Sequence, residues 1–383
     1  MKRYILADQF FYANSTKDRG YLEIQDDKFG RFYEKLPEIS AKVIDYSGKF
    51  IAPGFVDTHI HGFNGVDVMD NNWEGVIKTM SEGLLSCGVT SFLPTTLTAS
   101  KKLLAKVARG IGEHYRKATG AKIQGLYFEG PYFTKEYKGA QNPLYIRDPN
   151  IDEFHSWQSS AGGLIKKIAI APESFGVYDF VQQVVEEGVV VALGHSSATF
   201  AKAREAVDAG ASVWTHAYNG MREFTHHEPG MVGAMMSQKH MYAELICDGH
   251  HVHQSAAQIL LDAVGRDHVA LITDCMRAGG MPDGYYPLGE FEVEVRKGTA
   301  RLSSGNLAGS ALKLKDAVKN VIDWGIATHK DAVMMASLIP AISCKINDCC
   351  GSIRLGQAAD FVVLNPDMTL LATYLNGKLR YKS

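Results

Sequence analysis

The sequence predicts an α/β fold: a (β/α)8 TIM-type barrel with a small β-sandwich domain built from both chain ends. Three observations carry the prediction. Short apolar runs alternate with longer stretches of helical spacing through the middle of the chain. Such alternation implies parallel strands, and eight units fit a closed barrel whose active site lies at the C-terminal ends of its strands. Both termini are built differently, from alternating apolar and polar residues broken by Gly, Asn and Asp. A doubly wound open sheet is the structural alternative. Its usual nucleotide signatures are missing, because no G-x-G-x-x-G follows a strand and there is no P-loop.

In chain order, "YILADQFFYA", "GYLEIQDDKFGRFYE" and "AKVIDYSGKFIAPG" predict short strands, as does the final "SIRLGQAADFVVLNPDMTLLATYLNGKLRYKS". Chain termini often lie close together, so residues 1–52 and 353–383 are expected to form one small β domain around a barrel of residues 53–352. The eight apolar runs of the barrel are "APGFVDTHIHG", "VTSFLPTT", "KIQGLYFEGP", "IKKIAIAPE", "VVVALGHSS", "SVWTHAYNG", "AELICDGHHV" and "HVALITDC". Between them lie helical patterns such as "NWEGVIKTMSEGLLSCG", "ASKKLLAKVARGIGEHY", "SFGVYDFVQQVVEEG", "TFAKAREAVDAG" and "SAAQILLDAVG", several ending at Gly. The unit between the sixth and seventh runs has a less obvious helix.

The bulk composition narrows the function. The 383 residues suit about two domains, or one large barrel with an accessory layer. Hydrophobic residues make up 46% and charged residues 21%, ordinary values for a globular chain. A net charge of −2 argues against nucleic acid as a partner, since phosphate-backbone binding needs a basic face. No apolar run approaches the ~20 residues that span a bilayer, and the N-terminus lacks the h-region and cleavage site of a signal peptide. The six cysteines follow no regular framework, which in a chain this long reads as reduced thiols in the cytoplasm. "CKINDCC" (344–350) lacks the second ligand pair that a soft-metal site would need.

The chemistry collects at the ends of the runs. The first ends in His59 and His61, the third in Glu129, the fifth in His195, the sixth in His216 and the eighth in Asp274. Each is costly to bury on an apolar strand without a partner. His59 and His61, two residues apart, share one strand face. Imidazole and carboxylate together suit Zn²⁺, Fe²⁺ and similar divalent ions, and the set leaves a coordination position for water or substrate. Taken singly, a strand-end His is more often a hydrogen-bonded surface or core residue, Glu129 could be a turn residue, and Asp274 could cap the next element. That reading must account for six such residues at predicted strand ends at once, and the metal site accounts for all of them. Metal ions lower the pKa of bound water and polarise carbonyls, and Asp274 is well typed to take the water's proton and return it to a leaving amine. The expected reaction is hydrolysis of an amide or related bond.

An ordered series of motifs then resembles the amidohydrolase superfamily, and within it the enzymes that deacetylate amino-sugar phosphates. It comprises "PGFVDTHIHG", "FEGPYF…KGAQNP", "GHSSAT", "THAYNGM…HHEPGMVGA", "DGHHV", "TDCMRAGG", "LAGSAL" and "GSIRLGQAADFVVL", from about residue 50 to 365. The resemblance implies a barrel with a small terminal β domain. It implies hydrolysis of N-acetyl-D-glucosamine 6-phosphate to D-glucosamine 6-phosphate and acetate, in amino-sugar catabolism. By the same resemblance, Glu129, His195 and His216 match the ligands of the principal metal. His59 and His61 match the further ligands of members that hold two ions, so one or two ions of Zn or Fe are implied. Asp274 matches the general base and acid. Asn219, Gly220 and His251 match positions that hold the sugar phosphate, and Gln141 stands where many members have a histidine near the substrate. Either side chain can donate a hydrogen bond. A homodimer sharing its sites across the interface is also implied.

One departure concerns the phosphate. Where members commonly carry Arg before "EPG", reaching the neighbouring subunit's phosphate, this chain has His227 in "THHEPG". Arg is a permanent bidentate cation, whereas an ordinary imidazole is charged only below about 6.5. Recognition could then rest on His226, His227 and His251 together, or favour a related substrate; a solvated loop pair is the simpler reading of His226 and His227. No role is assigned to His250 or His253, and Glu173 is open between a supporting role and none. Three rival readings remain. N-acetylgalactosamine 6-phosphate differs at one stereocentre. A cyclic-amide hydrolase would carry a lysine at the end of the fourth run, where this chain has Lys166 and Lys167 at its start. An inactive binding module should have lost ligands or the aspartate, and all are present.

Overall fold

The computed structural model of the chain describes residues 2–38 and 40–383. Eight parallel strands form the barrel in chain order: β1 Phe55–Ile60, β2 Val89–Thr96, β3 Leu126–Tyr132, β4 Ile165–Ile170, β5 Val190–Leu193, β6 Val213–Trp214, β7 Tyr242–Ile246 and β8 Val269–Ile272. Each pairs in parallel with the next. Their residues are almost wholly buried, because helices cover the outer face and side chains fill the inner one. This double burial is why the strands read as continuous apolar runs rather than as alternation. The join between β8 and β1 is thinner than the rest. It consists of one parallel bridge, Ile60–Cys275, with Asp274 N donating to His59 O at 2.9 Å and His61 N to Cys275 O at 2.8 Å.

The helices follow from pattern and capping. In Lys101–His114, Ser100 caps the start by accepting from Leu103 N, and Leu104, Val107, Ala108 and Ile111 form the buried stripe. Burial of each Leu, Val or Ile there is worth about 1.5–3 kcal/mol. The less obvious helix between β6 and β7 is Gly230–Ser237, and Gly230 through Met235 are all buried. A helix enclosed on every side has no polar face, so it shows no amphipathic period.

The termini meet in one seven-stranded sheet. Its order is Lys378–Lys382, Leu370–Leu375, Phe361–Leu364, Lys42–Pro53, Lys2–Phe11, Thr16–Gln25, Lys28–Tyr33. The N- and C-terminal parts join where Phe361–Leu364 runs antiparallel to Phe50–Pro53. Successive side chains go to opposite faces. Ile51, Phe361 and Val363 enter a core of the sheet's own with Ile5, Phe10 and Leu22, while Ala52, Val362 and Leu364 join the barrel core.

One element was not anticipated. Between β8 and the helix Leu314–Asp323 the chain inserts an antiparallel meander of Gly284–Leu288, Phe291–Arg296 and Thr299–Leu302. The period-two pattern of "FEVEVR" puts Val293 and Val295 inside, where they pack with Leu288, Ala300, Met276 and Leu97 beside the barrel mouth.

Candidate active site

The strands deliver the six sequence-predicted residues to one spot at their C-terminal ends. Asp57 and His59 on β1, and His61 one residue beyond it, alternate onto the barrel interior. Glu129 lies within β3. His195, His216 and Asp274 each stand two residues beyond a strand, after β5, β6 and β8, and each has a left-handed backbone, with φ of 48°, 28° and 49°. Such backbone costs on the order of 1–3 kcal/mol for a non-glycine residue and persists where the surroundings over-determine it.

The Glu129 carboxylate is the hub. Its Oε1 lies 3.3 Å from His195 Nε2, 3.2 Å from His216 Nε2 and 3.3 Å from His59 Nε2, and its Oε2 lies 3.3 Å from His61 Nε2. Asp274 Oδ1 faces the other side, 3.0 Å from His61 Nε2 and 3.5 Å from His59 Nε2. Two groups of three result, His59–His61–Asp274 and Glu129–His195–His216, and in each the candidate ligand atoms lie within 4.8 Å of one another. All six residues are buried.

Two details fit a cation at this position. His59 Nε2 is buried without a hydrogen-bond partner among the described residues, and the Nε2 atoms of His195 and His216 face each other at 3.0 Å. Three of the four rings turn their other nitrogen to an acceptor. His59 Nδ1 is 3.1 Å from Glu244 Oε2, His61 Nδ1 is 3.1 Å from Thr95 O, and His195 Nδ1 is 2.8 Å from Tyr137 O. A proton held on Nδ1 leaves the Nε2 lone pair pointing inward, the form that ligates metal. Gly220 protects the last of these bonds. At its φ of +58°, a Cβ would stand 3.0 Å from His195 Nδ1 and 3.3 Å from Tyr137 O.

The electrostatics agree. Burial pushes the His59 imidazole down, but Asp274, Glu129 and Glu244 together raise it to about 9. His61 is likewise raised, its hydrogen bonds to Asp274 and Glu129 outweighing burial. Against the same burial, the facing imidazoles hold Glu129 well below and Asp274 below the usual carboxylate range. The cluster thus favours positive charge between its members, which a divalent cation supplies.

A cavity of about 280 Å³ opens above the cluster, with Gln141, Asn219, Gly220 and His251 on its walls and Leu97 and Leu288 as apolar surfaces. Gln141 is buried; its Nε2 donates to Glu129 Oε2 at 2.6 Å and its Oε1 accepts from Thr98 N at 2.7 Å. His251 Nδ1 is 2.7 Å from Asp248 Oδ2, and Asp248 Oδ1 accepts the His250 and His251 amides at 2.8 Å each. His227 is exposed, outside this cavity, with its ring centroid 3.9 Å from that of His226. Of the unassigned residues, His253 caps the helix Gln254–Val264, its Nδ1 accepting from Ser255 N at 3.2 Å. Glu173 is a clamp. It accepts from Ser196 Oγ and Ser197 N at 2.7 Å each and from Thr134 Oγ1, tying the segments after β5 and β3 together behind His195.

Sequence reasoning missed several residues. Asp57 accepts from Thr273 Oγ1 at 2.6 Å and so stitches β1 to β8 at the thin join. Its signal was present, since it continues the alternation of His59 and His61 toward the chain start. Glu244 and Lys167 form a fully buried pair within the barrel. Glu244 is an ionisable residue inside the apolar run "AELIC", the same anomaly that marked the six predicted residues.

The sequence profile of the amidohydrolase family matches residues 50–380. The chain belongs to that family. It is 40% identical over 330 residues to an N-acetylglucosamine-6-phosphate deacetylase of Vibrio furnissii, an alignment covering 86% of this chain and 82% of that one. It is 38% identical over 345 residues to an N-acetylgalactosamine-6-phosphate deacetylase of Escherichia coli, covering 90% and 91%. Its fold superposes with a TM-score of 0.92, at 29% identity and 100% coverage of both chains, on a mutant N-acetyl-D-glucosamine-6-phosphate deacetylase of Mycobacterium smegmatis solved in complex with N-acetyl-D-glucosamine-6-phosphate. Among the described residues, no helix is long and apolar enough to cross a membrane.

Proposed function

We propose that this amidohydrolase removes the acetyl group of N-acetyl-D-glucosamine 6-phosphate by metal-dependent hydrolysis, giving D-glucosamine 6-phosphate and acetate in the cytoplasm. The observation that carries the reading is the convergence of two three-residue groups and one cavity at the C-terminal mouth of the barrel. Glu129, His195 and His216 would hold the principal ion, and His59 and His61, next to Asp274, a second; Zn and Fe both suit these donors. A divalent ion bound there supplies electrophilic help to the amide carbonyl and makes water more acidic.

The remaining steps fall to the chain's own groups. Asp274, held as a carboxylate, accepts a proton from the attacking water as the C–O bond forms. It then donates that proton to the sugar nitrogen as the C–N bond breaks, so the amine leaves neutral. Gln141 donates toward the acyl group from the cavity wall. Asn219, the Gly220 backbone and His251 hold the sugar phosphate, with Asp248 keeping His251 oriented. His227 would meet the phosphate of a neighbouring subunit in a homodimer. Its exposure, and its place outside the lining of this chain's own cavity, support that arrangement.

N-acetylgalactosamine 6-phosphate is the second reading, supported by the 38% identity to a deacetylase of that name over 91% of its length. The deciding experiment measures acetate released from both phosphorylated N-acetyl-hexosamines and their unphosphorylated forms, with metal content determined on the same sample. Preference for the gluco phosphate supports the first reading, preference for the galacto phosphate supports the second, and turnover only of unphosphorylated sugars contradicts both.

A further inference from the structure

Lys167 and Glu244 sit deeper in the barrel than the cluster, each the third residue of its strand, β4 and β7, and side-chain exposure is 1% for both. The Lys167 ammonium is ion-paired with Glu244 Oε1, lies 3.8 Å from the centroid of the Tyr127 ring and 3.4 Å from Thr58 O. Two charges taken out of water are costly, and a well-packed apolar pair would stabilise such a core at least as well. The pair therefore calls for a task other than packing. Glu244 Oε2 supplies one. It lies 3.1 Å from His59 Nδ1 and 3.4 Å from the His216 backbone N. An ionised carboxylate only accepts hydrogen bonds, so the His59 proton is held on Nδ1 and the Nε2 lone pair faces Glu129 and Asp274. The Tyr127 ring, edge-on at 4.9 Å, limits rotation of the imidazole. The other three-residue group meets this pair only lightly among the described residues, through the His216 backbone N–H, 3.4 Å from Glu244 Oε2. His195 Nδ1 leans on a backbone carbonyl, and His216 Nδ1 has no hydrogen-bond partner among the described residues.

We propose that Glu244, neutralised by Lys167, is the positioning residue that fixes His59 as a metal ligand, and that this buried pair sets the affinity for the ion at the His59–His61 group. The inference rests on the reading of His59 and His61 as ligands. It separates the two ions: loss of the pair weakens one and spares the other. Orientation also separates from charge, because a glutamine at position 244 keeps an acceptor for His59 without needing Lys167.

The test compares two double variants with the wild-type chain, Lys167→Met/Glu244→Met and Lys167→Met/Glu244→Gln. Both remove the charges together, so neither leaves a buried ion unpaired. Metal-free protein is titrated with Zn²⁺ by calorimetry, with bound metal counted independently. The Met/Met chain is expected to bind its first ion as the wild type does and its second at least ~10-fold more weakly, the range seen when support of a ligating His is lost. The Met/Gln chain should recover most of that loss. Equal affinities in all three chains, equal losses in both variants, or a wild-type chain that takes up only one ion would each overturn the proposal. A second measurement needs no variant of the pair. In Zn-loaded, ¹⁵N-histidine-labelled wild type, His59 (assigned with His59→Gln) should show a protonated Nδ1, and a protonated Nε2 would overturn the proposal. Acetate release is scored separately: a chain that obeys the pair yet hydrolyses no sugar acetamide sinks the proposed function and leaves this inference standing.

Discussion

The two halves of the cluster are built in different ways. Glu129, His195 and His216 come one each from β3 and from just beyond β5 and β6, and two of the three reach the site through a left-handed kink. Among the described residues, their side chains are supported by a glutamine amide at Glu129, a backbone carbonyl at His195 and nothing at His216 Nδ1, while Glu244 reaches only the His216 backbone N–H, at 3.4 Å. His59, His61 and Asp274 come from β1 and the end of β8, across the join where the barrel ladder is thinnest. Buried ionisable side chains surround them, with Asp57 bridging the join and Glu244 with Lys167 behind His59. The first half is set by where strands end. The second depends on a network of buried polar groups, which carries more ways to fail and more ways to be tuned. Glu129 links the halves, within 3.3 Å of all four imidazoles.

That contrast ranks the consequences of substitution. Glu129→Gln should be the most damaging, with bound metal falling at both positions and turnover reduced to background; a variant that keeps its full metal content and activity would remove Glu129 from the hub. Asp274→Asn should keep the fold and the principal ion while deacetylation falls by ~10²–10⁴-fold, the usual worth of a positioned acid–base group. Near-normal turnover there would end its assignment as the proton carrier. His59→Gln/His61→Asn should lower the ion count by one and leave the ion at Glu129, His195 and His216 in place. An unchanged count would show that the β1 pair does not ligate. The smallest effect concerns the phosphate. If His227 stands where an arginine is usual, His227→Ala should raise KM for the sugar phosphate a few-fold, with kcat moving less. An unchanged KM would show that phosphate recognition lies elsewhere.

Much of this was legible in the sequence for one physical reason. An ionisable residue at the end of an apolar run is expensive unless it has a partner, and six of them at predicted strand ends name one another as the partners. What stayed hidden was hidden by other physics. Lys167 read as a residue at the start of a run, because its pairing with Glu244, 77 positions away, exists only once the barrel closes. The helix Gly230–Ser237 gave no period because it is enclosed all round. The meander carried its alternation in "FEVEVR", but its task of walling the cavity through Leu288 is a matter of placement rather than pattern. His227 sits on an exposed loop outside the cavity, where the cost of burying an ionisable group says nothing about it.

A metal-dependent amide hydrolase acting on an amino-sugar phosphate should lose and regain its activity with its ion. Acetate release from N-acetyl-D-glucosamine 6-phosphate, measured before chelation, after chelation and after return of Zn²⁺ or Fe²⁺, tests it most directly. Steady turnover is expected, abolished by chelation and restored by a divalent ion. Metal-loaded, folded protein that releases no acetate above the blank, or turnover indifferent to chelation in a chain shown to be metal-free, would contradict it.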